Sequence, residues 1–113
     1  MSSMSIYLKN KVLDDNLQGV YVALISNSNE INKSSYERQE VSFKVASEGQ
    51  TANDTDVLFP VATENWGNIT EIALFDSESG GNELFRSEPE IIKNIDEASQ
   101  YKIPREHLII RLR

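Results

Sequence analysis

The 113-residue sequence contains no cysteine. That absence excludes disulfides, Cys-ligated zinc and a thiol nucleophile, and it fits a chain made in a reducing cytosol. Long hydrophobic runs are missing too. No window nears the ~18 apolar residues of a membrane-spanning helix, and the opening MSSMSIYLKNKVLDDNL has no apolar core of signal-peptide length. The expectation is a soluble chain outside the usual secretory route, with no membrane partner. The Asn-x-Ser/Thr triplets at Asn32, Asn53 and Asn68 then read as chance matches. Positive charge is scarce: 11 Lys+Arg against 18 Asp+Glu leave a formal net charge of −7. Such a surface repels phosphate backbones, so no nucleic acid is expected as a partner. Arg111 and Arg113, flanking Leu112, read as the solvent face of a terminal strand.

Residue sets that carry chemistry are also lacking. The one histidine, His107, cannot build a zinc site without cysteines, and carboxylates alone make a poor one. No G-x-S-x-G nucleophile turn occurs, so His107 reads as a solvent-facing strand residue. A glycosidase needs two carboxylates facing each other across a cleft, and the domain is small for one. Asn53, Asp54 and Asp56 resemble the start of a calcium loop, but the required Gly and Glu do not fall in place. Turn chemistry accounts for them. Neither phosphate-cradling glycine pattern is present. The sequence therefore predicts no catalytic residue, no cofactor, no metal site and no enzyme.

What is there is a small, strand-rich chain. A mass of 12.8 kDa implies roughly 6,300 Å² exposed out of about 18,600 Å² in the extended chain, enough for one modest core. The hydrophobic share of 39% is a little low for a globular domain. A small apolar-poor chain is expected to complete its burial against a partner, here copies of itself or a neighbouring protein.

Residues 57–85 alternate apolar runs with a Trp-Gly turn and a Ser-Gly-Gly-Asn turn, the rhythm of antiparallel strands on short connections. Residues 5–17 predict the one helix, capped by Ser5, with Ile6, Leu13 and Leu17 recurring at near-helical spacing and Gly19 as a C′ stop. It could lie on its own sheet or on a neighbouring subunit. Residues 20–25 are apolar on both faces, as in a central strand. Val41, Phe43 and Val45 alternate with Ser42 and Lys44, predicting a half-buried strand. Pro60 makes the run at 57–61 an edge strand or ends it. Residues 69–75 predict another strand, Gly80 and Gly81 a hairpin connection, and residues 84–85 the return. Residues 89–100 read as a short acidic helix or an irregular excursion, and Leu108, Ile110 and Leu112 as a closing strand. The fold class is mainly β: a small antiparallel β-sandwich or rolled sheet of about 6–7 short strands with one N-terminal α-helix. Residues 1–18 form a helical arm and 19–113 a single β domain.

The ordered set of motifs carries a resemblance. YLKNKVLDDNL (7–17), VYVALIS (20–26), SYERQEVSF (35–43), the long stretch 49–85 and LIIRL (108–112) resemble a family of small tailed-bacteriophage proteins described as tail-fibre-like, appendage, decoration or other virion structural proteins. The pattern falls here at Leu13–Asp14, Tyr36–Arg38, Phe59–Pro60, Trp66–Gly67, Leu74–Asp76 and Gly80–Asn82. Residues 90–106 depart from it, being charged and without glycine where the family approaches its last strand through Pro and Gly. The resemblance implies a non-enzymatic virion component, assembled in the host cytoplasm, whose partners are other virion proteins and its own copies. It does not place the chain on head or tail. Ile6, Leu13, Leu17, Arg38 and Trp66 are the candidate assembly-interface residues. Arg38 could hold loop carbonyls of its own chain or pair with a neighbouring subunit's carboxylate. The alternative function is a carbohydrate-binding module contacting a host-surface glycan, with Trp66, Tyr21, Tyr36 and Tyr101 as stacking candidates.

Overall fold

Ser5 opens the one helix, α1 (Ile6–Asn16), in the computed structural model, which describes residues 3–112. Arg113 and the first two residues of the expected arm lie outside the described residues. The Ser5 hydroxyl accepts from the Leu8 N–H at 3.1 Å, an N-cap as its residue type favours. Leu17 is the C-cap, so Gly19, at φ +64°, stands one position beyond the C′ site expected for it. The helix lies against its own chain. Leu13 and Leu17 enter the main core. The Asp14 carboxylate accepts the Ala46 N–H at 2.8 Å, and the Asn10 side-chain oxygen accepts that of Gly49 at 2.9 Å.

The run VYVALIS forms β1 (Val20–Ser26), and its apolar content on both faces has the anticipated cause: it is the centre of a sheet. It pairs antiparallel with β7 (Glu71–Phe75) on one side. On the other, β3 (Gln39–Val41) takes its first half and β2 (Asn29–Glu30) its last two residues. β8 (Glu83–Ser87) extends the sheet beyond β7. Val22, Leu24, Ile72 and Leu74 face the main core, while Ala23, Ile25 and Ala73 form a smaller cluster with Phe75. Three antiparallel pairs complete the strands: β4 (Gln50–Ala52) with β11 (Ile109–Arg111), β5 (Val57–Leu58) with β10 (Lys102–Ile103), and β6 (Gly67–Ile69) with β9 (Lys93–Ile95). The molecule is mainly β with one N-terminal helix, as the sequence predicts, and its sheets close no barrel.

The described residues contain eleven strands, against the six or seven expected. Two apolar runs each split because their ends serve different partners. Residues 69–75 break at Thr70, whose N–H and hydroxyl both donate to the Ile25 carbonyl, at 2.9 and 3.2 Å. β7 stays on β1 while β6 turns away to β9. The run from Val41 breaks likewise: β3 ends at Val41, Phe43 bridges to Asn53, and Val45 is 84% exposed. Residues 89–100 are irregular around β9 and hold no helix. β5 ends before Pro60, as a residue without an N–H requires. The radius of gyration of 14.7 Å exceeds the ~13 Å of a compact chain this long, and the extents are 47 × 25 × 24 Å, so the body is elongated.

One buried polar residue knits the later half together. Asn53 is fully buried; its side-chain nitrogen donates to the Thr55 and Pro104 carbonyls at 2.8 and 2.9 Å, and its oxygen accepts the Leu108 N–H at 2.8 Å. Replacing it strands those groups, at about 1–3 kcal/mol for each one left buried without a partner. Asn53→Ala is expected to lower stability by roughly 3 kcal/mol, read as a drop in the urea midpoint at unchanged slope. A midpoint within error of the parent would show that these bonds hold nothing together.

Candidate functional site

Among the described residues, no group of three or more His, Cys, Asp or Glu side chains could hold a metal ion, and no helix is long and apolar enough to cross a membrane. Of the five interface candidates, Leu13, Leu17 and Trp66 are buried in the chain's own core, and the Arg38 side chain is only 6% exposed. Ile6, on the first turn of α1, is exposed beside Tyr7 and Leu8.

Arg38 and Tyr36 lie two residues apart in an extended segment, so both reach the same side and meet at Glu30 of β2. The Arg38 guanidinium forks onto that carboxylate: Nε to Oε2 at 2.8 Å and Nη2 to Oε1 at 2.9 Å. Its Nη1 donates to the Ser77 and Gly80 carbonyls in the β7–β8 loop, at 2.9 and 2.8 Å, and the group lies 3.8 Å over the Phe75 ring. The Tyr36 hydroxyl donates to Glu30 at 2.6 Å and accepts the Leu24 N–H of β1 at 3.1 Å. Burial alone would raise the Glu30 pKa. Its hydrogen bonds from Arg38 and Tyr36, with the Arg38 charge, outweigh that and hold it below the usual carboxylate value. Burial, then the bond to Glu30, pushes the Tyr36 phenol far up, so it stays a donor. Arg38 thus reaches carbonyls within its own chain, and its carboxylate partner is internal. Sequence reasoning missed Glu30 because it sits in a polar loop at no diagnostic spacing.

The aromatic residues are equally committed. Trp66 donates its indole N–H to the Ser35 hydroxyl at 3.1 Å and meets Tyr36 edge-on, ring centres 5.6 Å apart. Tyr36 stacks near-parallel on Phe59 at 6.2 Å, and Phe59 meets Tyr101 edge-on at 6.1 Å. Of the four stacking candidates, Trp66 and Tyr101 are buried and Tyr36 and Tyr21 half-buried.

Two surface features remain. The first is an apolar groove of about 440 Å³ between the edges of β8, β10 and β11. Ile72, Pro89, Ile91, Ile103, Leu108 and Ile109 line it, and Ile91 is 71% exposed. Glu88, Glu90, Lys93, Lys102 and His107 stand around it. His107 is solvent-exposed, as the sequence predicts, but in the turn before β11 rather than in a strand; its Nδ1 lies 2.9 Å from Glu90 Oε1. The second feature is the exposed turn Ile6–Tyr7–Leu8, with Tyr7 76% exposed. Sequence reasoning did not single out Ile91 or Ile109. Ile109 sits on the polar face of the closing strand, out of phase with Leu108 and Ile110, and that was the available signal. An apolar cleft bounded by charge suits docking.

A family model described as podophage GP4 fiber I protein gp80 matches residues 3–111. No curated protein matches the chain.

Two tests address the Arg38 cluster. Arg38→Ala leaves the Glu30 carboxylate and two loop carbonyls without their shared donor and is expected to cost about 3 kcal/mol in equilibrium unfolding. A loss below about 0.5 kcal/mol would put Arg38 among ordinary surface residues. Glu30 has a depressed folded-state pKa, so its contribution is fully present above the ordinary carboxylate pKa of about 4.3 and is lost as pH falls through the lower folded value. The stability gap between the parent chain and Glu30→Gln is therefore expected to be widest near neutrality and to close below about pH 4. Asp56, Asp76 and Glu106 also titrate low, but they are common to both proteins and cancel in the difference. A gap that stays constant through the acid range would refute the assignment.

Proposed function

The chain belongs to the podophage fibre family described as GP4 fiber I protein gp80, and from that premise we propose that it is a non-enzymatic structural component of a tailed-phage virion that packs into a repeating assembly with other virion proteins and its own copies. The observation that carries this reading is the family match over residues 3–111. The disposition of the side chains supports it. The Arg38 and Asn53 clusters are consumed in holding loops to strands, and the groove offers apolar surface rather than a constellation of reactive groups.

Repetition suits such a domain. A small interface contributes weakly alone, but contacts repeated along an array add without any one of them being tight. The exposed Ile6, Tyr7, Leu8, Ile91, Ile92 and Ile109 are apolar surface that a neighbour can cover. The low apolar share anticipated from composition points the same way. The proposed location is the virion, with assembly in the host cytoplasm, and fibre membership favours a fibre position over the capsid surface. The carbohydrate-binding alternative asks for exposed rings; of the residues nominated for it, Trp66 and Tyr101 are buried, Tyr36 packs against the core and Tyr21 is half-buried.

The test is compositional. Mass spectrometry of intact, gradient-purified particles is expected to detect the chain at a copy number that is constant between preparations, and antibodies to it are expected to label fibres in electron micrographs. Its absence from intact particles would end the proposal.

A further inference from the structure

Residues 88–92 carry Ile91 and Ile92 along one side of the groove and connect β8 to β9. Among the described residues, none of the five joins a backbone hydrogen bond to another part of the chain. Their one polar side-chain contact is an ion pair, with Glu90 Oε1 2.9 Å from His107 Nδ1. His107 itself stands on fixed ground. Its N–H donates to the Pro104 carbonyl at 3.1 Å. Asn53 holds the residues on either side: its carbonyl accepts the Glu106 N–H at 2.9 Å, and its side-chain oxygen accepts the Leu108 N–H at 2.8 Å. We propose that the Glu90–His107 pair is a pH-sensitive latch. With His107 protonated it holds residues 88–92 in place; with His107 neutral it releases them, so that pH sets how firmly this side of the groove is formed.

The chemistry of the two side chains gives the direction. A histidine changes charge between about pH 5 and 8, whereas a glutamate stays ionised down to about pH 4.3. Within that window the imidazole proton alone decides whether the pair is ionic. The attraction is full at the acid end and is lost as pH rises.

The surrounding charges supply a constant background. Glu88, Lys93 and Lys102 stand around the groove, and Arg105 and Glu106 precede His107. Carboxylate, ammonium and guanidinium groups do not titrate between about pH 5 and 8. Two of these neighbours are already engaged: Lys102 pairs with Asp56 at 3.4 Å, and Glu106 pairs with Lys44. Burial, then the Glu90 charge, pushes the Tyr101 phenol up, so Tyr101 stays neutral throughout.

Little else keeps the segment down. Ile91 and Ile92 are 71% and 60% exposed, so they contribute little burial. The latch is gentle too, because its partners are 49% and 67% exposed and exposed pairs contribute modestly. Releasing it raises the detached population about two- to five-fold and leaves the domain folded. The device belongs to a single chain and does not rest on the virion reading.

Methyl NMR tests it, because isoleucine δ1 methyls report motion without relying on amide protons that exchange faster as pH rises. Order parameters of the Ile91 and Ile92 methyls are measured on the whole chain at about pH 5.5 and about pH 8, on either side of the middle of the histidine range. Buried Ile95 is the fixed reference. Both values are expected to fall from the acid to the alkaline sample while that of Ile95 holds. His107→Gln and Glu90→Gln alter exposed side chains and keep the fold; each is expected to show the alkaline values at both pH settings. Order parameters that do not fall in the parent chain, or that in either variant fall equally or stay at the acid value, would overturn the latch.

Discussion

The fork between Arg38 and Glu30 is the interaction on which most of the architecture leans. It brings four separately folded pieces to one point: β2 through Glu30, the segment before β3 through Arg38 and Tyr36, β1 through the Leu24 amide, and the β7–β8 loop through the carbonyls of Ser77 and Gly80. No apolar contact could do this, because loop carbonyls need donors and hydrophobic attraction has no direction. Lysine could not either: its ammonium carries donors on a single atom, whereas the guanidinium serves a carboxylate bidentately and still has a nitrogen for the loop. The loop is shaped to receive it. Asp76 accepts the Asn82 N–H at 2.7 Å, and Gly81, at φ +73°, sits where a Cβ would fall 2.5 Å from the Asp76 carboxylate. Glycine is required there both for its backbone angle and for lack of space.

From that point the core follows. Tyr36 turns its hydroxyl to Glu30 and its ring to the interior, where it begins contacts with Trp66 and Phe59 that extend to Tyr101. One residue therefore couples the ionic cluster to the aromatic core. Asn53 plays the corresponding part for residues 104–108, which have little apolar content of their own to hold them. A chain with 39% hydrophobic residues cannot fix so many short segments by burial alone. It fixes them with a few fully partnered polar groups, and among the described residues no buried side-chain nitrogen or oxygen lacks a partner. Such networks specify one arrangement because each half-made alternative strands a donor or an acceptor.

The parts of this design that obey periodicity were legible in the sequence. The cap at Ser5, the both-faces-apolar central strand, the stop at Pro60 and the Gly80–Gly81 hairpin each depend on neighbouring residues only. The parts that failed depend on partners distant in sequence. Thr70 looks like an interior strand residue, and only its three hydrogen bonds to Ile25 and Asn27 reveal that the chain changes sheets there. The alternation from Val41 to Val45 is real in sequence, yet its last member faces solvent because the pairing passes from β1 to the Asn53 segment. Glu30 and Asn53 gave no local signal, since a buried polar hub is defined by what converges on it. Trp66 and Leu13 were drawn toward an interface by their size and helical phase, and the chain's own core holds both.

Residues 90–106 connect that lesson to function. They are the stretch where the chain departs from the resemblance that covers the rest, and with Glu88 and Pro89 they supply much of the groove: Glu90, Ile91, Lys93, Lys102, Ile103 and Pro104. A stretch charged throughout and lacking glycine is a poor place to expose two consecutive isoleucines by chance of folding. A residue that serves only the interior is placed there, as Ile95 is. Ile91 and Ile92 instead stand in water beside carboxylates, with the remainder of the segment tied down by β9 and by the turn at Asp96. Apolar groups held on a fixed backbone lose little further freedom when covered, so their burial is available to binding rather than spent on ordering the chain. The Asn53 clamp reaches this surface directly, because the Pro104 carbonyl and the Leu108 N–H that it holds belong to residues lining the groove.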